Sequence, residues 1–103
     1  MNRRQKKKAE NIRRAKLHRI LDQVLDINGL EARKREETGD EPTAFLYING
    51  HIGTASVSID YFGWSPSKSA DFSREFGMNP IGYLDNIDEV IKQLDDLKER
   101  LHV

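Results

Sequence analysis

The fold is decided by residues 43–62, TAFLYINGHIGTASVSIDYF. Apolar side chains recur there at every second position, on the even-numbered residues of the first half and the odd-numbered residues of the second half. A period of two residues is typical of β-strands. The stretch therefore predicts two antiparallel strands, with one face of the sheet in the core and the other in contact with water.

The turn between these strands determines their register. The dipeptide Asn49-Gly50 suits a two-residue type I′ turn, in which both central residues need positive φ. That turn would place Ala44 opposite Ala55. A longer loop over residues 49–53 is the alternative, and it would change the register.

Three further segments complete the predicted fold. From Ile12 onward, apolar residues recur at three- and four-residue spacing, which predicts a helix that ends at Asn28-Gly29. Residues 70–78 alternate and predict a third strand, although their two phenylalanines also fit a short helix. A last helix is predicted to begin near Asp85, its expected N-cap.

These elements form one domain with a basic extension. We expect a basic flexible arm over residues 1–11 and a single α+β domain over residues 12–103. The domain has an N-terminal helix, a three-stranded antiparallel meander and a C-terminal helix, in two layers. Open strand edges and heptad-like helix stripes also suggest a homodimer.

A formal net charge of +0 conceals an uneven distribution of charge. Residues 1–20 contain nine Lys or Arg against Glu10 alone, whereas the remaining chain contains eight against sixteen Asp or Glu. This asymmetry is typical of an arm that seeks a polyanion. A solvated tail, or a tail that folds back onto the acidic body, is the alternative. The candidate nucleic-acid-binding residues are Arg3, Arg4, Lys6, Lys7, Lys8, Arg13, Arg14, Lys16 and Arg19.

Protein binding is the second class of function that the sequence supports. The last helix is acidic, and an acidic helix can occupy the nucleic-acid groove of a partner by charge complementarity. Aromatic residues on the second sheet face could add a protein interface or stack bases. A solvated helix face is the simpler interpretation of the charges. The candidate protein-binding residues are Asp88, Glu89, Asp95, Asp96, Phe45, Tyr47 and Phe62.

The composition argues against several kinds of chemistry. There is no cysteine, which excludes disulfide scaffolds, thiolate zinc sites and cysteine nucleophiles. The three histidines are far apart, and the glycines form no phosphate-binding loop. No apolar run approaches the roughly 18 residues that span a bilayer. We therefore expect no catalytic residue, no cofactor, no metal and no membrane contact.

Residues 38–53, TGDEPTAFLYINGHIG, with Gly63-Trp64 and the basic start MNRRQKKK, resemble small accessory proteins of Gram-positive bacteriophages and prophages. The resemblance covers residues 28–100 and brings no catalytic residues. It implies a viral protein in the cytoplasm of a bacterial host, where proteins of this size include anti-CRISPR inhibitors. The leading hypothesis is a non-enzymatic inhibitor that occludes a host protein, such as part of a nucleic-acid-handling complex. Binding of DNA or RNA through the arm is the alternative.

Overall fold

A computed structural model describes residues 2–33, 36, 38–78 and 84–103. The three strands form one sheet in the order β1-β2-β3, and both pairs are antiparallel. The predicted α+β architecture is therefore confirmed, and the third segment is a strand. Along the chain the elements are α1 (Arg3–Asn28), β1 (Thr43–Asn49), β2 (Thr54–Asp60), β3 (Phe72–Gly77) and α2 (Ile87–Arg100).

The loop between β1 and β2 is longer than a two-residue turn. Asn49 pairs with Thr54, which leaves residues 50–53 as the loop, and Ala44 lies opposite Ile59. The two-residue register is wrong, and the longer-loop alternative is confirmed. Because the two registers differ by four positions, an even number, the same side chains still face the core.

α1 begins at Arg3, nine residues before the Ile12 start that the apolar pattern predicted. Asn2 and Gln5 form a capping box, in which each side chain accepts a hydrogen bond from the backbone N–H of the other residue. The segment predicted as a flexible arm is therefore helical from Arg3. The predicted C-terminus is confirmed, since Gly29 follows the helix with φ 67°.

α2 has Asn86 as its N-cap, rather than the predicted Asp85. The Nδ2 of Asn86 donates a hydrogen bond to the carbonyl of Glu75 in β3 at 2.9 Å. This contact with the sheet positions the start of the helix. Acidic residues in the first turn, Asp88 and Glu89, complement the helix dipole.

The core lies between the two helices and one face of the sheet. α1 lies beside β1, α2 lies beside β3, and the helices also contact each other. The opposite face of the sheet carries Phe45 and Tyr47 of β1, which alternate with the core-facing residues. The core side chains are Ile20, Val24, Ile27, Ala44, Ala55, Val57, Ile59, Phe72, Phe76, Val90, Ile91, Leu94 and Leu97.

Candidate nucleic-acid interface

The N-terminal half of α1 extends beyond the domain. All the buried residues of this helix lie between Ile20 and Ile27. At 1.5 Å per residue, the part from Arg3 to Arg19 is about 25 Å long. The molecule is accordingly elongated, with dimensions of 50 × 26 × 22 Å. We call Arg3–Arg14 the projecting segment.

The projecting segment is strongly basic. It contains seven Lys or Arg against Glu10 alone, which is a net charge of +6. None of its residues is buried, and six of its seven cations are exposed, whereas Arg13 is half-buried. Within the segment, Arg14 pairs with Glu10 at 3.7 Å, but both side chains are largely in water, where such pairs contribute little. The segment therefore presents its charge to the solvent.

Most of these cations share one side of the helix. At 3.6 residues per turn, five of the seven fall within an arc of about 140°. The middle of that arc is opposite to buried Ile20 and Ile27, whereas its end with Arg3, Lys7 and Arg14 is on the side of α1 that also carries Leu21 and Leu25. An arc this wide can reach phosphates on both walls of a major groove, which is about 12 Å wide and admits a helix. The five are Arg3, Arg4, Lys7, Lys8 and Arg14, and the other two are Lys6 and Arg13.

The last two predicted cations, Lys16 and Arg19, contact α2 instead. The Nζ of Lys16 lies 2.9 Å from Oδ1 of Asp88. A guanidinium nitrogen of Arg19 lies 2.8 Å from Oδ2 of Asp95. The C-terminal end of the basic stretch thus contacts the acidic body, whereas the projecting segment continues the same helix and does not fold back onto it. These four charges neutralise each other in pairs.

A polar seam continues this contact along the two helices. Gln23 is 2% exposed, and its Nε2 donates to a backbone carbonyl of α2 at 2.9 Å and to Oδ1 of Asp95 at 2.8 Å. The hydrogen bond from Gln23, followed by that from Arg19, holds the pKa of Asp95 below its ordinary value. Further along, the Nζ of Lys98 lies 2.6 Å from Oδ2 of Asp26. The residues meet in the same order on both helices, which therefore run parallel.

Sequence reasoning missed this seam, although a signal was present. Both helices repeat their seam residues at spacings of three, four and three, which is the spacing of helices that pack side by side. The charges on the two sets are also complementary when the helices are aligned in parallel. The sets are Lys16, Arg19, Gln23 and Asp26 on α1, and Asp88, Ile91, Asp95 and Lys98 on α2.

The acidic surface of α2 is smaller than the sequence implied. Asp88 and Asp95, two of its four candidate contacts, are paired with α1. Glu89 and Asp96 are exposed on the outer surface of the helix, and no ion pair within the described ranges involves them. A protein partner would therefore meet only half of the predicted acidic residues as free charges.

The aromatic candidates form two separate pairs. The rings of Phe45 and Tyr47 stack on the outer sheet face, with centroids 6.3 Å apart and an interplanar angle of 8°. Trp64 joins them through an edge contact with Phe45 at 6.2 Å. Phe62, which is 72% exposed, contacts Tyr61 instead. The cross-strand neighbours of the stacked rings are serines, so those positions supply no cation for a phosphate backbone.

The described residues hold no group of three or more His, Asp or Glu that could bind a metal ion. Neither α1 nor α2, the helices in the described part of the chain, is long and apolar enough to cross a membrane. Comparison with protein families, with curated proteins and with solved structures finds no match to this chain. The resemblance to phage accessory proteins therefore stays a prediction, and the functional argument depends on the geometry described above.

Proposed function

We propose that the protein is a non-enzymatic nucleic-acid-binding protein whose contact surface is the projecting segment, Arg3–Arg14. One observation carries the proposal: a helical segment with a net charge of +6 extends from the domain, and none of its residues is buried. The middle of its cation-rich arc is opposite to the buried side of α1. A bacterial cytoplasm, the setting that the sequence resemblance implies, offers abundant polyanions of this kind.

The helix itself favours a polyanionic partner. A helix without a packed face is marginal in water, and like charges four residues apart destabilise it further. Arg3 with Lys7, and Arg4 with Lys8, are two such like-charge pairs. A row of phosphates beside the segment would neutralise these charges and remove the repulsion. Binding and helix formation would therefore support each other.

The chemistry of the segment favours duplex binding through the phosphate backbone. Lys and Arg contacts to phosphates position a protein on a duplex without reading its sequence. Five cations on the outer side correspond to a slope of about −4 to −5 in a plot of log affinity against log salt concentration on duplex DNA. A dissociation constant on the order of 10⁻⁴–10⁻⁶ M at physiological salt is expected for binding of this type.

The test is a salt titration of binding by fluorescence anisotropy, with labelled DNA and RNA duplexes of about two helical turns. The full chain is compared with Lys7→Gln/Lys8→Gln, and with the control Lys92→Gln/Arg100→Gln. Both double variants remove two positive charges, but the control removes them from exposed positions on α2. Glutamine has a helix propensity similar to those of lysine and arginine, so all three chains should keep their helix content.

We expect the variant in the projecting segment to make the salt slope on DNA less negative by about 2, and the control to leave it unchanged. Equal slopes for the two variants would contradict a contact at the projecting segment. Absence of binding by the full chain at low salt would contradict the function itself. The relative affinities for the two duplexes identify DNA or RNA as the preferred ligand.

The stacked aromatic pair favours a second candidate, occlusion of a host protein. Tyr47 is 60% exposed, and its ring and that of Phe45 form a flat apolar surface on an uncovered sheet face. Exposed Glu89 and Asp96 lie on α2, which packs against the opposite face of the sheet, so they form a separate surface. Capture of a single host protein by the immobilised chain should be lost in a Tyr47→Ser variant of unchanged thermal stability. Unchanged capture would exclude these contacts.

A further inference from the structure

β1 is an edge strand whose outward backbone groups are only partly covered. The Oδ1 of Asn28 accepts a hydrogen bond from the Ala44 N–H at 2.7 Å, and its Nδ2 donates to the Ala44 carbonyl at 2.8 Å. Ala44 therefore directs its backbone groups away from β2. In an antiparallel pair, residues alternate between facing the partner strand and facing away from it. Leu46 and Ile48 consequently direct their N–H and C=O groups outward as well.

With respect to the described residues, these outward groups form an open pairing edge. No hydrogen bond between described residues reaches the outward N–H and C=O groups of Leu46 and Ile48. Soluble proteins usually protect such an edge with charges, proline or a bulge, because it can pair with another strand. β1, TAFLYIN, contains no charge and no proline. The other edge, β3, carries exposed Arg74 and Glu75.

Apolar side chains flank this edge on both faces of the sheet. Ile48 is 58% exposed on the helix side, and Tyr47 is 60% exposed on the outer side. On α1, Leu21 and Leu25 are 42% and 40% exposed. At 3.6 residues per turn, these leucines lie about 160° around the helix from the seam with α2, which places them on the β1 side. The apolar stripe of α1 is therefore wider than the part of it that the sheet and α2 cover.

We propose that β1 pairs antiparallel with β1 of a second copy of this chain, about a two-fold axis at Tyr47. In this register Leu46 lies opposite Ile48 of the second copy, and Ile48 lies opposite its Leu46. The two reciprocal pairs form four backbone hydrogen bonds. The result is one continuous six-stranded sheet. The inference is drawn from β1 and the leucines beside it and not from the charge of Arg3–Arg14, so it does not depend on nucleic-acid binding.

A second copy fits this edge better than an unrelated strand because the edge is self-complementary. About a two-fold axis, a residue on the axis contacts the same residue of the other copy, and every other contact occurs twice. β1 is uncharged and the whole chain has a formal net charge of +0, so neither the strand nor the body repels a copy of itself. Across the axis, Tyr47 meets Tyr47, and aromatic pairs are favourable neighbours between strands.

The exposed apolar area beside the edge is also of the order that a dimer interface needs. The apolar side chains beside the edge together expose on the order of 400 Å² per copy, which is within the range of the largest apolar patches on ordinary monomers, patches that are often functional. With the edge backbone and a polar rim added, two copies approach the roughly 1,200 Å² at the lower limit of specific interfaces. The patch is thus large enough for a weak to moderate dimer.

The first test is the mass of the full chain by sedimentation equilibrium at increasing concentration. We expect a shift from 11.9 kDa towards twice that mass. Ile48→Lys should keep the chain monomeric, because it places a charge on each side of the axis. The matched control is Ile12→Lys, the same substitution at an isoleucine of α1 that is 48% exposed and lies on the opposite side of the helix from Leu21 and Leu25. A monomer at all concentrations, or equal loss of dimer in both variants, would overturn the proposal.

The register has its own test, since the chain has no cysteine. In the proposed pairing the two Tyr47 Cα atoms lie about 4.5 Å apart, within the range that a disulfide bridges. The Asn49 positions of the two copies lie about 14 Å apart, at 3.4 Å per residue. Tyr47→Cys should therefore oxidise to a covalent dimer, and Asn49→Cys should not. Equal cross-linking at both positions, or none at position 47, would overturn this register.

Discussion

Replacing Asn28 with alanine should destabilise the fold by about 1–3 kcal/mol, because two hydrogen bonds with a net value of about 0.5–1.5 kcal/mol each are lost. Both bonds join the end of α1 to one residue of β1: the amide accepts from the Ala44 N–H at 2.7 Å and donates to the Ala44 carbonyl at 2.8 Å. Ala44 is only 4% exposed, so little water can replace the lost partners.

The assay is urea unfolding followed by circular dichroism, with thermal unfolding as a second measurement. In a domain of this size, the loss corresponds to a decrease in Tm of roughly 4–24 °C. Asn11→Ala is the matched control, because it is the same substitution at an exposed position of the same helix. Alanine is the better helix former, so the control should be neutral or slightly stabilising.

A second substitution tests the geometry of the pair. Asn28→Asp keeps the oxygen that accepts from the Ala44 N–H, but it places a second carboxylate oxygen against the Ala44 carbonyl. It should therefore be no more stable than Asn28→Ala. If Asn28→Ala costs no more than Asn11→Ala, the two hydrogen bonds do not join α1 to β1 as described, and the reasoning is refuted.

Three further outcomes follow from the structure. Gly63→Ala should lower the free energy of unfolding in urea by more than about 2 kcal/mol, because φ is 98° and the new methyl would overlap the Gly39 carbonyl. Gly50 has open space around it, so Gly50→Ala, the control, should change this free energy by no more than about 1 kcal/mol. Lys68→Met should lower the Tm, because it removes the ammonium 3.1 Å from the Asp60 carboxylate, which is 2% exposed. Hydrogen bonds from Gln23 and Arg19 hold the pKa of Asp95 below its ordinary value of 3.8. The ionised Asp95 therefore stabilises the fold at higher pH, and this stabilisation is lost as the pH falls through the folded-state pKa. Asp95→Asn should flatten this loss in unfolding curves measured between about pH 5 and pH 2.

Local periodicity was sufficient to predict the order and type of the elements. The change from a period near 3.6 to a period of two after residue 42 predicted β1, and the structure confirms it. The end of α1 was equally local, because Asn28-Gly29 permits the positive φ that Gly29 adopts. The start of α1 was missed because residues 3–11 contain a single apolar side chain, Ala9, which cannot reveal a period.

The strand register could not be predicted from local signals. Asn49-Gly50 satisfies a two-residue turn, whereas the structure has a four-residue loop and pairs Asn49 with Thr54. The two registers differ by an even number of positions, so the alternation of apolar residues fits both and does not distinguish them. Thr54 also lies opposite Gly77 of β3, so the observed register belongs to the whole three-stranded sheet.

The sequence by itself determined that the chain is basic at one end, acidic over its body, and built from two helices and a three-stranded meander. It did not distinguish Lys16 and Arg19 from the seven cations before them. Their carboxylate partners, Asp88 and Asp95, are 72 and 76 residues away along the chain and become neighbours only when α1 packs against α2. Because electrostatic attraction depends on distance in space, tertiary structure alone decided which cations are neutralised and which remain on the projecting segment.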